Sequence, residues 1–220
     1  MRVAIFDFDG TLYPQETYKL MMNYLKQHPI HSSKYQPFYR ALMKPYLAYK
    51  MKIYPENKMK AKSMQLYLDA LKGLHQQEIE TYFEDMSKEM RNELNLSVVD
   101  RLQKHLIEGD HVLLVSGAFT PMLNEVTRDF AIHNVIGTEI PMSNGKIDTN
   151  KALYHIQGER KNEMIEKALQ GLDIDWKNSS AYGDSISDIT VLELVGNPVA
   201  VRPESRLRAV AEKRKWEILW

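Results

Sequence analysis

The chain contains no cysteine, which excludes disulfides, thiolate metal sites and thiol nucleophiles together. That absence fits a reducing compartment. No apolar run approaches the roughly 20 residues that a membrane span needs. The N-terminal "MRVAIFDFDG" puts only a few apolar residues ahead of Asp7, too few for a signal-peptide core. The expectation is a soluble cytoplasmic protein with no membrane partner. An excess of charge of one sign is also missing: 29 Lys and Arg balance 29 Asp and Glu, so no whole-molecule field points to nucleic acid or a lipid surface. The seven histidines are scattered and show no metal-ligand spacing.

At 220 residues, 44% hydrophobic and 26% charged, the chain can bury a real core, either as one large domain or as a core carrying an insert. Residues 2 to 8 form an apolar run broken by Gly10 and Pro14, a buried strand followed by a turn. Similar runs stand at 111–117, 180–184, 197–201 and 216–219, with helix-like segments near 97–108, 119–130, 159–171, 186–194 and 204–213. This alternation predicts βαβ units and a parallel sheet covered on both faces. Residues 14 to 95 break the rhythm with helical patterns and no convincing strand, and read as an inserted helical domain. Within it, residues 26 to 62 hold nine basic side chains against one acid, Glu56. Such a run reads first as a solvated helix face, and its tyrosines are also compatible with nucleic-acid contact. "TEIPMSNGKIDTN" reads as two extended arms around an Asn144-Gly145 turn.

Open α/β sheets place ligand sites beyond the carboxyl ends of their strands, so the informative residues are those where each apolar run stops. After the first come Asp7, Asp9 and Thr11; after the second, Ser116 and Gly117; after the third, Gly183, Asp184 and Asp188. Lys161 opens a helix before that third strand. Four carboxylates converging on one crevice would raise each other's pKa unless a cation held them. With only oxygen ligands on offer, the choice falls on Mg2+, which binds through a few carboxylates and keeps waters and phosphate oxygens as its other ligands. Lys161 and the hydroxyls of Thr11 and Ser116, with Gly117 beside them, would receive the oxygens of a phosphoryl group.

These four pieces, "DFDGT" (7–11), "LLVSG" (113–117), Lys161 in "GERKNEMIEKAL" and "GDSISD" (183–188), resemble in order the motifs of the haloacid dehalogenase-like hydrolase superfamily. The resemblance covers the chain outside the insert and implies a Rossmann-like three-layer α/β core, residues 1–13 and 96–220, with an all-helical cap at 14–95. It implies that Asp7 is a nucleophile forming an aspartyl-phosphate and that Asp9 is the acid and base for leaving group and water. Asp7, Asp184 and the main-chain carbonyl of Asp9 would bind Mg2+, and Asp188 would orient Lys161 or a metal-bound water. The implied activity is Mg2+-dependent hydrolysis of a small phosphomonoester. Phosphoryl transfer to another hydroxyl and a non-catalytic phosphate-binding module are the alternatives. Taken singly, the same residues also suit turns and helix caps.

A helical insert after the first motif is similar to the phosphoserine phosphatase-like branch. In that branch a glutamate nine residues past the nucleophile faces the substrate amine, and Glu16 stands at that offset, where it also suits the first turn of a helix. A cap arginine meets the substrate carboxylate, for which Arg40 and Arg91 are the candidates. Two departures are visible: Ala118 and Phe119 follow "SG" where a second glycine is usual, so that Phe119 is expected to reshape the pocket, and Ser187 replaces the usual Asn.

Overall fold

A computed structural model describes residues 1–220. Val3–Phe6 (β1) is four residues long and buried throughout, as a strand covered on both faces must be. It is flanked by His111–Phe119 (β2) and Ser180–Gly183 (β6) in a six-stranded sheet completed by Asn134–Thr138 (β3), Asn197–Val201 (β7) and Glu217–Leu219 (β8). The order is β3-β2-β1-β6-β7-β8, and every pairing is parallel.

The two-residue side-chain period sorts the strands between two cores. Ala4 and Phe6 join Val112, Leu114 and Tyr182 in a cluster of 35 buried residues on one face, while Val3, Ile5, Leu113 and Val115 join a 15-residue cluster on the other. On the larger side Phe6 stacks on Tyr182 with ring centroids 4.4 Å apart. Helices Leu96–Ile107 (α5) and Thr120–Thr127 (α6) cover that face, and Glu159–Ala168 (α7), the short Ile189–Leu192 (α8) and Ser205–Arg214 (α9) the other.

Between β1 and α5 run four helices with no strand: Thr17–Gln27 (α1), Tyr35–Lys50 (α2), Glu56–Ala70 (α3) and Gln76–Asn92 (α4). Their apolar faces, including Met21, Leu25, Phe38, Tyr67 and Phe83, extend the 35-residue cluster, so insert and sheet share one core. The two ends of the insert meet at Asn95, whose backbone N–H donates to Leu12 O at 2.9 Å and whose side-chain amide donates to Thr11 O at 3.2 Å. Arg91 adds a bond to the carbonyl of Glu125 on α6 at 2.9 Å.

Met142–Ser143 (β4) and Lys146–Ile147 (β5) form the expected hairpin, with Asn144 and Gly145 at φ 52° and 72°, the left-handed pair that a two-residue turn demands. The hairpin docks on the insert: Gln76 N–H donates to Gly145 O at 3.0 Å, and Ile147 N–H to Leu74 O at 3.2 Å. Two elements differ from the sequence reading. The edge strand β3 carries no sufficient sequence signal, and the segment read as a helix over 186–194 is a 3-10 turn at Ile186–Asp188 running into α8.

Candidate active site

The ends of β1, β2 and β6 and the start of α7 open into one cavity of 640 Å³, roofed by α1 and α3 of the insert. Asp7 and Asp9 follow β1 and lie on its floor with Asp184 and Asp188, which follow β6. Carboxylate oxygens of Asp7, Asp184 and Asp188 lie within 4.8 Å of one another. Lys161, 5% exposed, reaches between two of these acids, its Nζ 2.5 Å from Asp7 Oδ1 and 2.6 Å from Asp188 Oδ1.

Burial and the charge of Asp188 push Asp7 well above the carboxylate range, and Lys161 offsets only part of this. Burial, Asp188 and Glu16 raise Asp184 to about 7. Asp9 is raised to about 6 by burial and Glu16, although its Oδ1 accepts the Thr17 N–H at 2.9 Å. Burial works against the Lys161 ammonium, but Asp188 and Asp7 outweigh it and raise its pKa. The crevice thus holds more negative charge than one lysine neutralises.

The donor set fits a hard divalent cation: three carboxylates, no sulfur and no imidazole. Asp184 strengthens the fit, because its carboxylate lies against Gly10, where any Cβ would collide with it, and takes no hydrogen bond from another residue. Gly10 adopts φ 75°, so the turn after β1 needs glycine for conformation as well as for space. Asp188 is occupied differently: Oδ1 holds Lys161, while Oδ2 accepts from Ser185 N–H at 3.3 Å and from Ser185 Oγ at 3.1 Å. With both its oxygens engaged, Asp188 has less capacity left for an ion than Asp184.

Ser116 and Gly117 line the cavity, and Ser116 Oγ accepts the Ala118 N–H at 3.1 Å, leaving its proton free. Glu16 lines the cavity too, at the N-cap of α1 with no side-chain capping bond. Four expected residues lie elsewhere. Thr11 is fully buried outside the cavity lining with its hydroxyl unpaired, because the turn after Asp9 aims it inward. Arg40 is exposed on α2, away from the face that buries Phe38 and Leu42. Phe119 is fully buried against Phe83 and Tyr67, at centroid distances of 5.7 and 6.5 Å. Its neighbour Ala118 takes the cavity side. Arg91 is spent on Glu125.

Two cavity residues carry no usable sequence signal. Lys60 is the cap cation that reaches the cavity, 3.4 Å from Glu56; burial disfavours its charge, but Glu16 and Glu56 prevail and raise its pKa. His155 is 7% exposed and lines the wall beside Gly117. Thr138 Oγ1 donates its proton to Gly117 O at 2.8 Å, so it must accept from His155 Nδ1 at 3.2 Å and from Ile156 N–H at 3.3 Å. The ring therefore carries its proton on Nδ1 and presents the Nε2 lone pair. Burial, with Lys60, Arg160 and Lys161 nearby, lowers its pKa to about 4 and keeps it neutral.

An acidic, lysine-bridged crevice at the carboxyl edge of a parallel sheet, roofed by helices inserted after the first strand, defines a capped α/β protein. The chain belongs to the haloacid dehalogenase-like hydrolase family, which it matches over residues 4–193. It is 31% identical over 117 residues to the phosphoserine phosphatase SerB1 of Mycobacterium tuberculosis, covering 53% of this chain and 38% of that one. It is 27% identical over 168 residues to a histidinol-phosphatase of Neisseria meningitidis serogroup C, covering 70% and 75%. A protein of unknown function from Bordetella pertussis Tohama I shares the fold with a TM-score of 0.82 and 24% identity, over 100% of this chain and 98% of that one. This chain spans less than half the length of the mycobacterial relative.

Proposed function

We propose that the protein is a Mg2+-dependent phosphomonoesterase that works through a phosphorylated Asp7. The observation that carries this reading is the pairing at the floor: Asp7 is bridged by Lys161 to Asp188, beside an Asp184 carboxylate that no other residue's donor satisfies. Asp7, Asp184 and the main-chain carbonyl of Asp9 would hold Mg2+, which when bound neutralises these acids and the phosphate oxygens they face. Lys161 and the Ser116 hydroxyl orient the phosphoryl oxygens. An Asp7 carboxylate oxygen forms a bond to phosphorus as the ester oxygen leaves, and that oxygen takes its proton from Asp9. Water then attacks the phosphorus, gives a proton back to Asp9 and frees both phosphate and the Asp7 carboxylate. A group raised to about 6 can donate in the first half and accept in the second near neutrality.

The cap side of the cavity bears on the leaving group. The cap contributes two acids, Glu16 and Glu56, and one cation, Lys60, to the lining, and the wall beside Gly117 adds the neutral His155 ring. Phosphoserine and histidinol phosphate, the substrates in the names of two relatives, are both phosphate esters of amino alcohols. That chemistry suits this wall, and we assign the substrate to the same class.

The test is phosphate release from p-nitrophenyl phosphate, phosphoserine, histidinol phosphate and glycerol phosphate, with and without Mg2+. Turnover is expected to need Mg2+ and to vanish in Asp7→Asn, while Glu16→Gln raises KM for the amine-bearing esters alone. Full activity in EDTA or in Asp7→Asn would overturn the chemistry. Equal preference for glycerol phosphate would overturn only the substrate class.

A further inference from the structure

Of the nine basic residues between Lys26 and Lys62, only Lys60 lines the cavity, so the crevice does not account for this charge. The fold gathers part of it at one point. Helices α2 and α3 form a hairpin whose turn is held by Ala48 O, which accepts from Ile53 N–H at 3.0 Å and Tyr54 N–H at 3.2 Å. On this tip Leu47, Met51 and Ile53 stand 53%, 70% and 70% exposed, an unusual density of aliphatic surface in seven residues. Lys44, Lys50, Lys52 and Lys58 surround them, all exposed and none paired with an acid. Lys52 stands at φ 58°, where glycine would be less strained.

We propose that the α2–α3 tip is an interfacial docking element for an anionic lipid bilayer. Leu47, Met51 and Ile53 enter the boundary between headgroups and acyl chains, and the four lysines meet lipid phosphates and carboxylates. The composition of the tip separates this partner from nucleic acid. Single strands are held on exposed aromatic faces, but here Tyr35, Tyr49 and Tyr54 pack against the core cluster, Tyr39 and Tyr46 are only 40% and 38% exposed, and the outermost groups, Met51 and Ile53, are aliphatic. A second copy of the tip is disfavoured by its like charge. The cap is also polarised: exposed Glu78, Glu80, Asp85 and Glu89 on α4 would be repelled by the surface that attracts the tip. No helix is long and apolar enough to cross a membrane, and interfacial attachment requires none. The balanced charge of the whole chain conceals this local patch, which is why a lipid surface was not expected from composition.

The experiment is flotation of the full chain with phosphatidylcholine vesicles, with and without phosphatidylserine. Binding is expected only with phosphatidylserine and is lost in high salt. Leu47→Asp combined with Met51→Asp and Ile53→Asp abolishes it, and each of Lys50→Gln and Lys52→Gly weakens it about fivefold. Lys52→Gly also relieves a left-handed backbone, so its melting temperature stays level or rises, which separates lost binding from lost folding. Hydrolysis of p-nitrophenyl phosphate in solution stays unchanged in these variants. Equal binding to pure phosphatidylcholine, binding that survives the triple substitution, or absence of vesicle binding would overturn the proposal. Salt-sensitive binding to single-stranded DNA or self-association in sedimentation, in place of vesicle binding, would reassign the tip.

Discussion

Lys161 is held between two carboxylates with almost no water around it, so its removal costs more than the loss of a surface pair. Lys161→Ala leaves Asp7 and Asp188 facing each other unneutralised, and the Mg2+-free protein is expected to lose roughly 3–5 kcal/mol in urea unfolding. A loss below about 1 kcal/mol would mean that the bridge contributes no more than an exposed pair. His155 makes a prediction of opposite dependence. Its pKa falls from 6.5 in the unfolded chain to about 4 in the fold, so the unfolded state binds the extra proton between those values. The stability it contributes is complete above about pH 6.5 and drains away as pH falls toward 4, by up to about 3 kcal/mol. His155→Gln should flatten that part of the stability curve. The acids and Lys161 were legible in the sequence because each stands where an apolar run ends or a helix begins. Thr11, Arg40 and Phe119 were misplaced because cavity lining depends on which way a side chain turns, and strand pairing and helix packing decide that. His155 reaches Gly117 through the return of a long loop, for which no spacing rule exists.

At the scale of elements, the hairpin β4–β5 is the contact most open to test. Gly145 stands at φ 72° with nothing within 4 Å of an added Cβ, so Gly145→Ala meets only the backbone cost of a left-handed residue, about 1 kcal/mol. Gly145 O also receives the Gln76 N–H from the insert. The substitution should therefore speed amide exchange at Gln76 and Ile147 while leaving β1 protected; unchanged exchange would show that the hairpin does not secure the cap. The same reasoning explains why β3 escaped notice. Its Gly137 interrupts a short apolar run, yet a Cβ there would lie 2.7 Å from Leu123 Cδ1 and 2.9 Å from Ala118 O, so close packing of α6 on the sheet requires glycine. A residue that reads as a break is here a condition of packing. By contrast β7, with "NPVAV" on an inner strand, fell at its expected limits.

For the whole molecule, the excess of buried acid gives the proposed Mg2+ site a signature in stability. Mg2+ that binds the folded chain alone raises its melting temperature by mass action, and because Asp184 titrates near 7 the binding must displace protons. The Mg2+-induced shift in melting temperature is expected to shrink as pH falls through 7 and to disappear in Asp184→Asn. A shift independent of pH would place the ion elsewhere. The α/β alternation and the helical insert were both readable from period and length, but their shared 35-residue core was not, since burial across elements has no linear signature.

One asparagine joins the roots of the insert: Asn95 binds both Leu12 and Thr11, the latter 84 positions earlier in the chain. Because the excursion leaves and returns at a single point, the insert's two roots are fixed to each other before its helices pack on the core. A single side chain thereby sets where the helices stand over the acids beneath them.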